Sequence, residues 1–164
     1  MGLVLATTGL VLAAGSVGIV RNLACIRLDE DWVPEPAAAE FVKVNRLQGN
    51  TLTWFDWGEY AIWHFAPAIK VSFDGRRETV YSEAIRTRHL LFYFDQPAGR
   101  DLAGALEPDY IWLRTDLPIV NILPQQGWVP IFSGSRSVIF ARSRDADLRQ
   151  PPATLPGARC FPGP

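Results

Sequence analysis

The chain has 164 residues, long enough for one domain with a real apolar core. Its formal net charge is −1, from 16 basic and 17 acidic residues, which excludes a general polyanion-binding role. Its two cysteines, Cys25 and Cys160, have no spacing motif and support neither a metal cluster nor a structural disulfide.

Residues 1–20 carry no charge, and a helix of that length spans about 30 Å, the thickness of a bilayer's hydrocarbon core. Residues 1–26 therefore read as a transmembrane helix. A cleaved signal peptide is the rival, disfavoured because nothing basic precedes Arg21. Gly2, Gly9, Gly15 and Gly18 suit close packing against neighbouring helices. Arg21 and Arg27 are followed at once by Asp29, Glu30 and Asp31, so charge does not fix an orientation. Residues 27–35 are polar and proline-broken and read as a juxtamembrane linker, with Trp32 resting at the interface.

Residues 36–142 predict an α/β domain: a mostly parallel sheet flanked by helices, with a C-terminal antiparallel hairpin. Pro36 opens a helix to about Leu47, closed by Gly49. A strand at 52–55, a helix at 57–65 and a strand at 70–73 make one βαβ unit. Helices are expected over 79–94 and 101–106, a strand over 110–113, and a helix over 117–126 interrupted at Pro124. Residues 128–132 and 137–141 flank a Ser-Gly-Ser turn and form the hairpin. Residues 143–164 include five prolines in PPATLPGARCFPGP and predict a disordered tail.

The βαβ unit holds the densest chemistry. Asp56 and Asp74 each fall just past the carboxyl end of a strand, the edge of an open α/β sheet where ligands bind. Purely structural roles stand beside this one: Asp56 can cap the helix that follows, and Trp54, Trp57 and Trp63 at helical spacing can be core. The carboxylates Asp56, Glu59, Asp74 and Glu78 can hold Mg²⁺ or Ca²⁺. Asp74-Gly75-Arg76 is equally a tight turn whose arginine closes an ion pair onto Asp56 or Glu59, and with Arg76 and Arg77 in place this is the preferred reading. His64 and His89, the only histidines, have no second ligand at metal-like spacing, and His64 reads as core. No nucleophile elbow, phosphate loop, dinucleotide fingerprint, HExxH or CxxC is present.

The segments TWFDWGEYAIW and VSFDGRRETVY resemble the start of the extracytoplasmic C-terminal domain of polytopic GT-C membrane glycosyltransferases, which use lipid-linked sugar donors. The family includes bacterial proteins similar to protein O-mannosyltransferases and, more distantly, the catalytic subunit of oligosaccharyltransferase. In the latter the motif is Trp-Trp-Asp-Tyr-Gly; Trp54, Asp56 and Gly58 match it, while Phe55 and Trp57 depart from it. The bacterial relatives are nearer, sharing Trp57, Gly58 and Tyr60, then Asp74, Gly75 and Arg76 after an apolar strand, then Gly127-Trp128 before the hairpin. The resemblance covers residues 36–142.

The resemblance implies a terminal soluble domain, a fragment or split-off part of a bacterial inner-membrane enzyme, on its extracytoplasmic side. It implies partners in the lipid bilayer and the parent's other transmembrane helices, and contacts to a polyprenyl-phosphate sugar or a glycan acceptor through Trp54, Asp56, Trp57, Glu59, Asp74 and Arg76. The family's catalytic carboxylates, with any divalent metal, lie in loops between the first membrane helices, so this chain is not expected to transfer sugar alone or to hold a cofactor. Nucleic acid is not an expected partner. Two other classes fit the same residues: a single-span, membrane-anchored glycan- or protein-binding module, and a carboxylate-metal hydrolase built on Asp56, Glu59 and Asp74.

Overall fold

A computed structural model describes residues 15–16, 26–27, 32–143, 147–152 and 160–161. The chain divides into two compact units, residues 1–29 with 156–164, and residues 30–155. In the first, strands β1 (Ile26–Arg27) and β7 (Cys160–Phe161) pair antiparallel, Ile26 opposite Phe161 and Arg27 opposite Cys160.

The second unit is built on a five-stranded sheet: β2 (Gly49–Thr53), β3 (Ile69–Val71), β4 (Tyr110–Arg114), β5 (Val129–Ser133) and β6 (Ser137–Ala141), in the order β3-β2-β4-β6-β5. β2 runs parallel to β3 and β4, whereas β4–β6 and β6–β5 are antiparallel. The sheet is therefore mixed and not mostly parallel as expected. The hairpin is not an edge addition: β6 inserts beside β4. Parallel neighbours need a long crossover, supplied by the β2–β3 connection between adjacent strands and by the β3–β4 connection, which passes over β2.

The first crossover moves outward from β2 to β3 and the second moves back from β3 to β4, so with a common right hand they place their helices on opposite faces of the sheet. Helix α2 (Gly58–Phe65) joins α1 (Pro36–Val44) on one face, over a core of Trp57, Tyr60, Trp112 and Ile139. Helices α3 (Arg77–Val80) and α4 (Glu83–Tyr93) follow β3, and α4 with α5 (Leu102–Leu106) covers Leu52, Ile111, Leu113 and Phe140 on the other face. The strands dictate this split: in β4, Ile111 and Leu113 point one way and Trp112 the other, the two-residue period of a pleat. Both faces are apolar because both are covered.

Local chemistry sets the other departures from expectation. The helix expected over 79–94 is broken at Tyr81–Ser82, where Ser82 Oγ accepts from the amide of Ile85 at 3.4 Å and caps α4. The helix expected over 117–126 is two 3₁₀ turns, Pro118–Asn121 and Leu123–Gln126, each with a proline in its first turn where a missing N–H costs nothing. The helix expected to about Leu47 ends at Val44 with Asn45 as its C-cap, and Gly49 opens β2 instead of closing that helix.

Of the expected transmembrane helix, residues 1–14 and 17–25 lie outside the described residues. Ile26 at its end is paired in β1, and among the described residues no helix is long and apolar enough to cross a membrane. The expected linker is anchored at its end, with Val33, Pro34 and Glu35 buried. In the expected tail, residues 144–146, 153–159 and 162–164 lie outside the described residues. Arg149 and Asn45 exchange hydrogen bonds at 2.8 and 2.9 Å, and Gln150 Nε2 donates to the Ile131 carbonyl at 3.1 Å. That last contact takes up a backbone group on β5, an edge strand.

Candidate functional site

β2 ends at Thr53 and β3 at Val71, so Asp56 and Asp74 each stand three residues past a parallel strand, at the same end of the sheet. Because β2 sends its chain one way and β4 lies on its other side, this end is the switch point of the fold.

The two loops interlock at Gly58. A Cβ there would lie 2.5 Å from both Asp74 Cβ and the Phe73 carbonyl oxygen, so only glycine lets the start of α2 touch the loop after β3. The same approach brings Glu59 of α2 against the Cα of Gly75.

Asp74 has no exposed surface. Its Oδ1 accepts from Arg76 Nε at 2.9 Å and the Arg76 amide at 3.0 Å; Oδ2 accepts from Arg76 Nη2 at 2.7 Å and Tyr81 Oη at 2.8 Å. Burial alone would raise its pKa, but the Arg76 and Tyr81 hydrogen bonds outweigh burial and hold it below the ordinary carboxylate range. Tyr81 is pushed up to about 12, by burial first and by its bond to Asp74 second. The arginine therefore closes back on Asp74 itself, not on Asp56 or Glu59 as expected. A bidentate contact within Asp-Gly-Arg needs no movement of a second loop. Arg76 remains 57% exposed.

Asp56 does not cap α2: no side chain caps that helix, and Asp56 Oδ2 instead accepts from Trp54 Nε1 at 3.0 Å. Trp54 is half-buried and packs against both apolar clusters, pinning the two faces at the sheet end. Tyr93 meets its ring edge-on at 4.9 Å and the Arg114 guanidinium lies 5.7 Å from the ring centroid. Trp57 is buried, and its ring lies 6.1 Å from that of Trp112. Trp63, expected in the core with the other two, is 63% exposed.

Of the six residues expected to contact a ligand, all six stand at this edge: Glu59 and Arg76 are exposed, Trp54 and Asp56 half-buried, and Trp57 and Asp74 buried. Trp54, Trp57 and Asp74 build the frame. Among the described residues no group of three or more His, Cys, Asp or Glu is placed to hold a metal ion, and the Glu78 side chain lies outside the described residues. Asp74, which a carboxylate-metal site would need, is already saturated with donors.

Three residues that hold this edge carried no local signal in the sequence. His89 is buried, stacked at 4.7 Å on Phe73, with Nδ1 donating to the Ile85 carbonyl at 2.9 Å and Nε2 accepting from Ser72 Oγ at 3.1 Å. Burial lowers its pKa and Arg88 lowers it further, against the raising effect of the Ile85 bond, so the ring is neutral. Tyr93 Oη donates to the Thr53 carbonyl at 2.6 Å, and burial raises its pKa. Together they rivet α4 to the ends of β2 and β3. The third, Glu35, binds the β5–β6 turn at the same sheet end. His89 and Tyr93 lie within the helix expected over 79–94, but nothing in the helical pattern singles them out, and Glu35 was hidden inside a polar, proline-broken run.

No family model matches the chain, and no curated protein or solved structure matches it; nothing in these comparisons identifies a GT-C glycosyltransferase domain.

Proposed function

We propose that the domain of residues 30–155 serves a membrane glycosyltransferase that uses a lipid-linked sugar, supplying polar contacts to donor or acceptor and not the catalytic carboxylates. One observation carries this reading. The two segments on which the family resemblance rests, Trp54–Gly58 and Asp74–Arg76, are locked together past the carboxyl ends of β2 and β3 through Gly58 and Asp74. Arg76, fixed by a buried carboxylate, is preorganised to meet a phosphate or a carbonyl oxygen, and Asp56 and Glu59 to accept hydrogen bonds from sugar hydroxyls or an amine. The covered faces of Trp54 and the burial of Trp57 disfavour a module that stacks glycans on these rings. The saturation of Asp74 disfavours a metal hydrolase.

The test is sugar transfer in membranes containing the full-length protein, supplied with a polyprenyl-phosphate-linked sugar. Arg76→Ala and the double change Asp56→Ala with Glu59→Ala are each expected to lower transfer by about tenfold or more, the loss of roughly one charged hydrogen bond. Unchanged transfer by both would remove this edge from the reaction.

A further inference from the structure

The β5–β6 turn is built to hold an anion. Within it, the amides of Ser135, Arg136 and Ser137 and the hydroxyls of Ser135 and Ser137 all converge on one carboxylate, that of Glu35. Ser135 N and Oγ each reach Oε2 at 3.0 Å, while Arg136 N, Ser137 N and Ser137 Oγ reach Oε1 at 3.2, 2.8 and 2.9 Å. Three consecutive amides turned to one point form a nest, a concavity of partial positive charge that selects anions irrespective of side-chain type. Gly134 completes it, since a Cβ there would fall on the Glu35 carboxylate.

The nest stands on its own framework. Ser137 is wholly buried and opens β6 opposite Arg114, the Gly134 amide bonds the Ser137 carbonyl at 2.9 Å, and Thr115 donates its amide to the Arg136 carbonyl at 3.0 Å. None of these contacts involves residue 35. Glu35 reaches the nest from a hundred residues away in sequence, as a side chain delivered to a preformed site.

We propose that this turn is an oxyanion-binding site whose present occupant is the chain's own Glu35, and that it takes a free carboxylate or phosphate when Glu35 is removed. The site lies at the same sheet end as Asp56 and Arg76, but the inference does not rest on the glycosyltransferase reading. In the wild type a tethered carboxylate sits at high effective concentration and keeps free anions out.

The experiment is rescue of Glu35→Ala. Acetate has the same two carbons and two oxygens that this substitution removes. Acetate, or inorganic phosphate in a parallel series, is expected to raise the melting temperature of the variant by about 3 °C or more in a saturable way. Sodium chloride at matched ionic strength should give no such rise, and neither should the wild type nor Glu35→Ala combined with Ser137→Ala. Amide resonances of Ser135, Arg136 and Ser137 should move with the same saturation. Glu35→Gln, whose amide still fills the nest, should show no saturable rise. If the alanine variant does not fold, recovery of its folded state on adding acetate or phosphate, and not sodium chloride, is the response expected, and no recovery with either anion overturns the proposal. No saturable rise with either anion, or an equal rise in the wild type, overturns the proposal.

Discussion

A carboxylate with no exposed surface is either neutral or surrounded by donors, and Asp74 is the second case, with four hydrogen bonds to two oxygens. Glu59, whose side chain lies against Gly75 next to it, is the opposite: exposed, on the first turn of α2. The two should separate stability from function. Asp74→Asn keeps the volume but turns an NH₂ group toward Arg76 or Tyr81, and is expected to cost about 2 kcal/mol, seen as a lower urea midpoint at unchanged slope. Glu59→Ala should stay within about 0.5 kcal/mol of the wild type. A loss of ligand binding in the second variant then reports on recognition, whereas in the first it would report on the frame. Equal stability of the two variants would mean that the Asp74 bonds are not sustained in solution.

At the scale of elements, α2 meets the loop after β3 in a tight joint. Gly58→Ala places a methyl group 2.5 Å from backbone and Cβ atoms that belong to a sheet-end loop with nowhere to retreat. It should cost about 3 kcal/mol or more by the overpacking route, and lower the melting temperature well beyond Gly104→Ala, whose Cβ meets nothing within 4 Å. Comparable melting temperatures for the two would show that the joint is loose. Gly58 was visible in the sequence as part of a motif, but its reason was not, because that reason is an atom of residue 74. The same holds more widely. The βαβ unit, the hairpin and the placement of Asp56 and Asp74 were legible, since each depends on local periodicity and on turn residues. The insertion of β6 beside β4 was not, because strand order is chosen by which faces need cover. Nor was the partner of Arg76, which is settled by the tightness of a three-residue turn, or the role of Glu35, whose donors lie a hundred residues on. Residues 52–55, expected as the strand, start late and overrun β2: the Trp54 amide still donates to the Trp112 carbonyl at 2.9 Å, and the chain then turns into a 3₁₀ turn at Phe55–Trp57.

For the whole molecule, three enclosed groups at one end of the sheet set the response to acid. Burial would raise the pKa of Glu35, but the bonds from Ser137, Arg136 and Ser135 outweigh it and leave it below its ordinary value of 4.5. Asp74 lies below 3.8 and His89 below 6.5. In all three the folded pKa is depressed, so as pH falls the unfolded chain takes up each proton first, and folding loses free energy. The contributions are complete above about pH 7. Below about 6.5 the His89 contribution declines, and below about 4.5 those of Glu35 and Asp74 follow, each with a limiting slope of about 1.4 kcal/mol per pH unit. Glu83 and Asp116 are also lowered, chiefly by hydrogen bonds from Arg86 and Arg114, but they are exposed, and moderate salt screens them. Urea midpoints measured from pH 8 to pH 3.5 at constant salt should therefore fall in two stages. His89→Gln should flatten the upper stage while leaving the lower one, and Glu35→Gln should shallow the lower stage alone. If His89→Gln keeps the full decline between pH 6.5 and 5, the imidazole is not buried as a neutral acceptor for Ser72, and the rivet between α4 and the end of β3 fails with it.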